Sequence, residues 1–596
     1  MPPAAWGAGA HSKHLRNLYI YFWRWATWKV FDIGDGKKPG PHDGIVCFIT
    51  VAGFLNGPGF QKMRAYLRET CDDIWVIDCS PEGHQPEVNT RIFQGVQQPV
   101  CIVMASRSEK KTSALAAVHF QALPKGRREV KFSALAAMRL ASKAWVPCPA
   151  EARAPFLPAS TGAWSEFPRL EDLFLWNGSG VMPGRTWVIA PDALSLEARW
   201  TKLKAAKPTE MDDLFLPHMV EGQVGDRHSA RVLKDALAGF IPRSTSVRND
   251  KEAIEAPIRY GYRSFDRQYI IPDKRLINRP NPELWEVRSK EQIFLTVVSR
   301  TSPSNGPALT FTGSIPDLDH YNGRGGRVFP LHADAGLTGQ NVKPAVLTSL
   351  AERYSLAVTA ELLFSYIAAI AANPAYTTHF KEDLSTPGLR IPFTMDAGLF
   401  QRAVEVGRKV IWLHTFGERM IDPEHGRPAQ PPRLPEERRP GIPKEGAISK
   451  SSEEMPDTLG YDTGKQRLLV GHGFIDNVTP AMWAYEVSGK QVLTQWFSYR
   501  KRNRERPIIG DRRKPSVLGD IQPDHWLPEY TTELLNVLNI LGLLIDLEPQ
   551  QAELLELVCS GPLISAADLK GSEGMEPIAN LIRTKKTKKI RTSTLF

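Results

Sequence analysis

The stretch from Gly44 to Arg107 constrains the fold of this chain more than any other, because three short apolar runs and one helical pattern follow each other there in an order that a layered α/β sheet accommodates. Gly44 to Phe54 is rich in Val, Ile and Phe and has no 3.6-residue period, which predicts a strand buried on both faces. A turn is expected at Asn56-Gly57-Pro58-Gly59. Phe60 to Glu69 then has helical spacing, with Phe60, Met63, Tyr66 and Leu67 on one side. Asp73 to Cys79 and Pro99 to Ala105 read as two further buried strands.

This order of elements, with GPGFQKMRAYLRE on the helix, DIWVIDCSPEG after it and NTRIFQGVQQPVCIVMASR at the last strand, resembles the later motifs of N6-adenine DNA methyltransferases of the type ISP restriction-modification family. Leu15 to Phe31 resembles the helix that follows the catalytic motif in those enzymes. Further on, the blocks at 179–199, 258–275 and 285–300 are similar to the family's C-terminal specificity region, so the resemblance runs along nearly the whole chain. It implies a partial Rossmann-like methyltransferase sheet at 1–110 and a connecting segment at 111–178. It also implies a mixed α/β target-recognition domain with a helical spacer at 179–596. The implied partner is double-stranded DNA, and the implied cofactor is S-adenosylmethionine, whose methyl group goes to N6 of a flipped adenine.

The family's catalytic Asn-Pro-Pro-Tyr and its Gly-rich cofactor turn would both lie ahead of Met1, and no copy is found elsewhere. Asn281-Pro282-Glu283-Leu284 lacks the second proline and the aromatic residue and reads as a turn, and Gly178-Ser179-Gly180 has no third glycine at nucleotide-binding spacing. No phosphate-binding loop of a helicase motor occurs. An exocyclic amine is a poor nucleophile without that Asn-Pro-aromatic clamp, so the chain alone is expected to be inactive. Two classes of function stay open: part of an adenine methyltransferase whose first half is missing, or a non-catalytic DNA-binding specificity protein that docks with a separately encoded catalytic half or restriction subunit. A degraded gene product would instead expose the apolar edge of a half sheet, with Trp23, Trp25 and Trp28 on the uncovered surface.

Charge agrees with a polyanionic partner, since 75 Lys plus Arg stand against 65 Asp plus Glu in 596 residues, a net charge of +10. No apolar run reaches the roughly 18–20 residues of a bilayer span and no signal-peptide pattern opens the chain, which predicts a cytoplasmic protein. Cys47, Cys71, Cys79, Cys101, Cys148 and Cys559 have no metal-ligand spacing and read as free thiols, with Cys47 and Cys101 buried in strands.

Several segments could touch DNA. Arg259, Arg263 and Arg267 interleave with Tyr260, Tyr262 and Phe265, which suits groove contact and equally suits a domain-junction strand with core aromatics. Arg500, Lys501, Arg502 and Arg504 open a basic stretch that fits phosphate contact or a solvated loop. Arg324 and Arg327 sit on a Gly-rich segment that suits close groove approach or a simple turn. The tail from Arg583 is expected to add weak affinity. By the resemblance, Phe93 takes the position that presents a ring to a flipped adenine, with a buried loop anchor as the other reading. Ala360–Asn373, Ala397–Phe416 and Thr531–Leu557 read as core and spacer helices, and 422–457 as a Pro-rich linker or large loop.

Overall fold

Helix α1 (Leu18–Thr27) runs through a π-helical turn toward strand β1 (Gly44–Val51), and helix α2 (Gln61–Thr70) then leads into β2 (Asp73–Asp78). Strands β3 (Val100–Arg107) and β4 (Ala117–Ala122), helix α3 (Arg128–Ala137) and the short β5 (Val146–Pro147) follow. These elements come from a computed structural model, which describes residues 6, 15, 17–33, 42–55, 60–81, 92–93, 96, 98–108, 110–111, 114–124, 126–158, 163–220, 223–225, 227–298, 303–321, 326–381, 383–385, 388–503 and 514–569. The chain divides into two units, Met1–Ser165 and Glu166–Phe596.

In the first unit the sheet order is β1-β3-β2-β4-β5. β3 is antiparallel to both β1 and β2, so β1 and β2 run parallel to each other, and β2 pairs parallel with β4. The expected α/β sheet is therefore present as a mixed five-stranded one. Its packed face carries Val46, Ala105, Ile74 and Val118 in register, covered by Ile20 and Trp23 of α1 and by Met63 and Leu67 of α2. The two-sided burial expected for β1 does not hold. Ile45, Cys47 and Ile49 alternate onto an open face, so Cys47 is an exposed thiol rather than a buried one, while Cys101 is buried as expected.

The connecting segment expected at 111–178 is divided. β4 lies inside the first sheet, and residues 149–155 are clamped onto α2 by two buried arginines. Arg68 donates to the carbonyls of Pro149, Ala154 and Pro155 at 2.7–3.0 Å, and Arg64 to those of Phe54 and Ala154 at 2.9 and 3.0 Å. Burial lowers the Arg64 pKa to about 10. These two buried side chains satisfy carbonyls that no strand pairs, which ties the segment to this unit.

The second unit is built on two four-stranded sheets. One, in the order β12-β8-β9-β7, contains β7 (Ile189–Ala190), β8 (Ile258–Arg263), β9 (Asp266–Ile270) and β12 (Ile315–Pro316). The other, in the order β11-β10-β13-β6, contains β6 (Gly178–Ser179), β10 (Phe294–Val298), β11 (Thr310–Thr312) and β13 (Gly326–Pro330). Their shared core includes Trp187, Trp200, Tyr260, Tyr262, Trp285 and Phe294.

The spacer helices expected from the sequence are present. Thr359 caps α6 (Ala360–Ala371) by accepting from the Leu362 amide, and Asp396 caps α7 (Ala397–His414) by accepting from those of Gly398 and Leu399. The two cross so closely that a Cβ at Gly407 would lie 1.6 Å from the Ser365 carbonyl oxygen, a contact only glycine permits. Helix α9 (Pro528–Ser560) is long and apolar enough to span a bilayer, but 67% of its apolar window is buried inside the unit, as in a core helix. The segment expected as a Pro-rich linker at 422–457 is a strap held on α9: the Leu434 amide donates to Asn539 Oδ1 at 2.8 Å, Arg438 pairs with Asp546 at 2.7 Å, and Leu434 and Met455 are buried.

Candidate nucleic-acid interface

The aromatic and arginine-rich hairpin of β8 and β9 points inward. Tyr260 donates from its hydroxyl to Asp317 Oδ2 at 2.7 Å and to the Val181 carbonyl at 3.2 Å, and Arg263 donates to Asp317 Oδ1 at 2.8 Å while lying 4.0 Å from the Tyr262 ring centre. Tyr260 and Tyr262 are sealed at 0% and 1% exposure. Burial pushes both phenols well above their ordinary range. Such groups have no face left for a base, so the expectation of DNA contact by Tyr260, Tyr262 and Arg263 is corrected: they form the core of the sheet junction. Arg500, just beyond α8 (Val492–Ser498), belongs there too, donating to Asp266 at 2.7 Å and stacking 3.8 Å from Trp496.

Arg259 and Arg267 are neutralised rather than sealed. Both reach Glu533, at 3.3 and 2.9 Å, and Arg267 also pairs with Glu418 at 2.6 Å and covers Phe416. Arg267 is thereby a bolt between β9 and α9, and Arg259 keeps a partly exposed edge against Tyr269. Of the basic stretch, Lys501 is half-buried and Arg502 is exposed but donates to the Ser452 and Glu453 carbonyls at 2.6 and 2.7 Å. Arg504, Arg324 and the tail from Arg583 lie outside the described residues. Phe93 is 38% exposed, so it is not the buried loop anchor.

The segment 178–182 stitches the two sheets together. Its first half pairs with β13, with Ser179 opposite Arg327, and its second half bridges Asp317 and Arg279 through Val181 and Met182. The stitch is close: a Cβ on Gly180 would lie 2.2 Å from the Asp317 carbonyl oxygen. Asn281, left-handed at φ 48° ahead of helix α5 (Pro282–Glu286), donates from Nδ2 to the Ser179 carbonyl at 2.7 Å and to that of Gly180 at 2.5 Å. Its strained backbone is held by these bonds, so the Asn-Pro step expected as a turn is a rigid clamp on the stitch.

On this ledge Arg327 and Arg279 are exposed, and among the described residues neither pairs with a carboxylate. Their backbone partners Ser179 and Met182 are three residues apart, roughly 10 Å along a strand. An exposed guanidinium group without a carboxylate partner suits bidentate contact with phosphate or a guanine edge. Sequence reading found Arg327 and missed Arg279 and Asn281. The signal for them was the polar Asn278-Arg279-Pro280-Asn281-Pro282 run, whose prolines lack an amide donor and so end the pairing that Arg279 makes with Met182.

A family model described as the type ISP C-terminal specificity domain matches residues 172–537. No curated protein matches the chain. Among solved structures, the chain is similar to that of the DrdV–DNA complex, with TM-score 0.57 and 18% identity over 96% of this chain and 54% of the other. It is also similar to the ATP-dependent type ISP restriction-modification enzyme LlaBIII bound to DNA, with TM-score 0.60 and 14% identity over 94% of this chain and 35% of the other. A nuclease-deletion mutant of the type ISP enzyme LlaGI in complex with a DNA substrate mimic gives TM-score 0.56 and 13% identity over 93% and 41%. At these identities the likeness is one of fold, and the chain spans 54% or less of each neighbour's length.

Proposed function

This chain belongs to the type ISP C-terminal specificity domain family, and on that premise we propose that it is the DNA-recognising part of a type ISP restriction-modification enzyme, with double-stranded DNA held on the second unit. The observation that carries this reading is the segment 178–182, whose backbone partners Arg279 and Arg327 are exposed and have no carboxylate partner among the described residues, while Arg259, Arg263 and Arg267 of the β8–β9 hairpin are paired with carboxylates. The structural neighbours from type ISP systems are described as bound to DNA or to a DNA mimic. The test is binding of a labelled duplex over a salt series. Arg279→Ala and Arg327→Ala should each weaken binding by about 1–3 kcal/mol if they read a base, or lower the salt slope by about one if they hold a phosphate. Binding and slope equal to those of the parent chain would remove the ledge from the interface.

Adenine methylation is the finer reading, and the first unit is its place. Its parallel β1 and β2 joined through α2 form a crossover of the kind Rossmann-like methyltransferases use. The Gly178-Ser179-Gly180 turn leaves no room to cradle S-adenosylmethionine, since a Cβ at Gly178 would meet Trp176 at 2.8 Å and one at Gly180 the Asp317 backbone. Phe93, with its ring exposed, is assigned as the stacking face for a flipped adenine, which would offset part of a few kcal/mol of unstacking. In an assembly that methylates, Phe93→Ala should lower the rate with DNA affinity retained, and unchanged kinetics would take Phe93 out of the site.

A further inference from the structure

Asn281 spends its amide hydrogens inside the chain. Nδ2 donates to the Ser179 carbonyl at 2.7 Å, to the Gly180 carbonyl at 2.5 Å and to Ser179 Oγ at 3.1 Å. An amide nitrogen carries two hydrogens, so neither is left for a ligand. Its other pole, Oδ1, accepts from no donor among the described residues and is not one of their buried unpaired atoms, so it stays open to solvent. Turning the amide over would set Oδ1 against two carbonyl oxygens. The left-handed backbone at φ 48°, between Pro280 and Pro282, holds the root of the side chain. Asn281 is thereby a fixed acceptor that cannot donate.

Beside this acceptor stands a donor pair. Arg327 is exposed, its guanidinium makes no hydrogen bond or ion pair among the described residues, and it is the direct partner of Ser179 in the antiparallel pairing of β13 with β6. Such partners put their side chains on one face with Cβ atoms about 4.5–5.5 Å apart, so Arg327 and the Asn281 amide flank the same exposed serine. Arg327 is held on its other side by Val297 of β10. Gly326 before it lies so near Leu318 that a Cβ would come within 2.5 Å of that carbonyl oxygen, which fixes the strand. Two donors beside one acceptor match one base-pair edge above the others. In the major groove guanine offers O6 and N7 as adjacent acceptors, and its cytosine partner offers the N4 amine hydrogen. An A·T pair sets the adenine amine where guanine has O6, opposing one arm of Arg327. The usual pairing of asparagine with adenine needs a donor and an acceptor together, and here the donor is spent.

Resting on the DNA-recognising function proposed above, we propose that Arg327 and Asn281 together read one G·C pair in the major groove, Arg327 on guanine O6 and N7 and Asn281 Oδ1 on the cytosine N4 amine. The test begins with the full chain and a library of randomised duplexes, from which the preferred sequence is selected. Each guanine of that duplex is then replaced by 7-deazaguanine, which lacks the N7 acceptor. Each cytosine is replaced by N4-methylcytosine, whose one remaining amine hydrogen serves the base pair. A G·C pair should respond to both, each replacement weakening binding by about tenfold. With Arg327→Ala the 7-deazaguanine penalty at that pair should vanish and selection there should relax. With Asn281→Gly, which suits the left-handed backbone, the N4-methylcytosine penalty should vanish while the 7-deazaguanine penalty persists. The replacements tested on the parent chain decide the matter even where Asn281→Gly loosens the clamp. The proposal is overturned if no pair responds to both replacements, or if Arg327→Ala keeps the 7-deazaguanine penalty. It is overturned as well if Arg327→Ala weakens all sequences equally and lowers the salt slope, the mark of a phosphate contact. Each of these results leaves the DNA-recognising function standing, whereas a chain that binds no duplex overturns both.

Discussion

Arg263 and Arg327 have the same side chain and opposite environments. Arg263 sits at 9% exposure against Asp317, while Arg327 projects from β13 with no acid beside it among the described residues. Removing one partner of a buried ion pair leaves the other charge stranded, which costs about 3–5 kcal/mol, whereas an exposed substitution falls within about 0.5 kcal/mol. Arg263→Met should therefore lower the urea midpoint steeply, and Arg327→Ala should leave it in place. Equal midpoints for the two would show that Asp317 finds compensation from Tyr260 alone. The difference between these arginines was not legible in the sequence, because interleaved Arg and Tyr serve a groove and a core equally well. What decides is a carboxylate brought from afar: Asp317 is 54 positions from Arg263, and Glu533 is 266 from Arg267. Arg327 was legible because a glycine-rich stretch without acids precedes it.

Elements were more readable than their surroundings. The apolar period of α6, α7 and α9 survives in the structure to within a few residues, since long amphipathic patterns dominate local choices. The strap at 422–457 was not readable, because prolines satisfy no ladder yet allow single residues such as Leu434 to seat on a neighbouring helix. Along α9, Glu548 precedes Pro549 and keeps a buried Oε1 without a hydrogen-bond partner. Burial raises its pKa to about 7, from an ordinary value near 4.5. Below the unfolded value both states hold the proton and nothing is lost. As pH rises toward 7 the unfolded chain ionises while the folded one resists, so stability falls and the cost is complete above 7. Glu548→Gln should accordingly stabilise the protein by about 2 kcal/mol at pH 8, allowing for partial solvent access, and by nothing measurable at pH 4. Denaturant midpoints at the two pH values check the sign, and a gain at pH 4 would mean that packing rather than ionisation limits this turn.

Across the whole molecule the two units differ in how completely each buries its own apolar surface. The second surrounds two sheets with helices and a strap, and its sheet junction closes over Tyr260, Tyr262 and Trp285. The first covers one face of its sheet and leaves the other open at β1, a shape the sequence of Gly44–Val51 permits but does not announce, because a run without charged residues fits either one or two covered faces. This asymmetry predicts how the chain behaves when cut at the boundary after Ser165. Residues 166–596 should remain monomeric and bind duplex DNA within about threefold of the full chain, a change of under 1 kcal/mol, with the same salt slope. Residues 1–165 should associate through the bare edge, and Ile45→Lys with Ile49→Lys should return them to solution, since charge on an edge strand blocks pairing. Sedimentation of the two pieces and of the substituted first piece checks each step. A soluble, monomeric first piece with its natural β1 would mean that the open face is covered from within, and DNA binding lost with that piece would place part of the interface there.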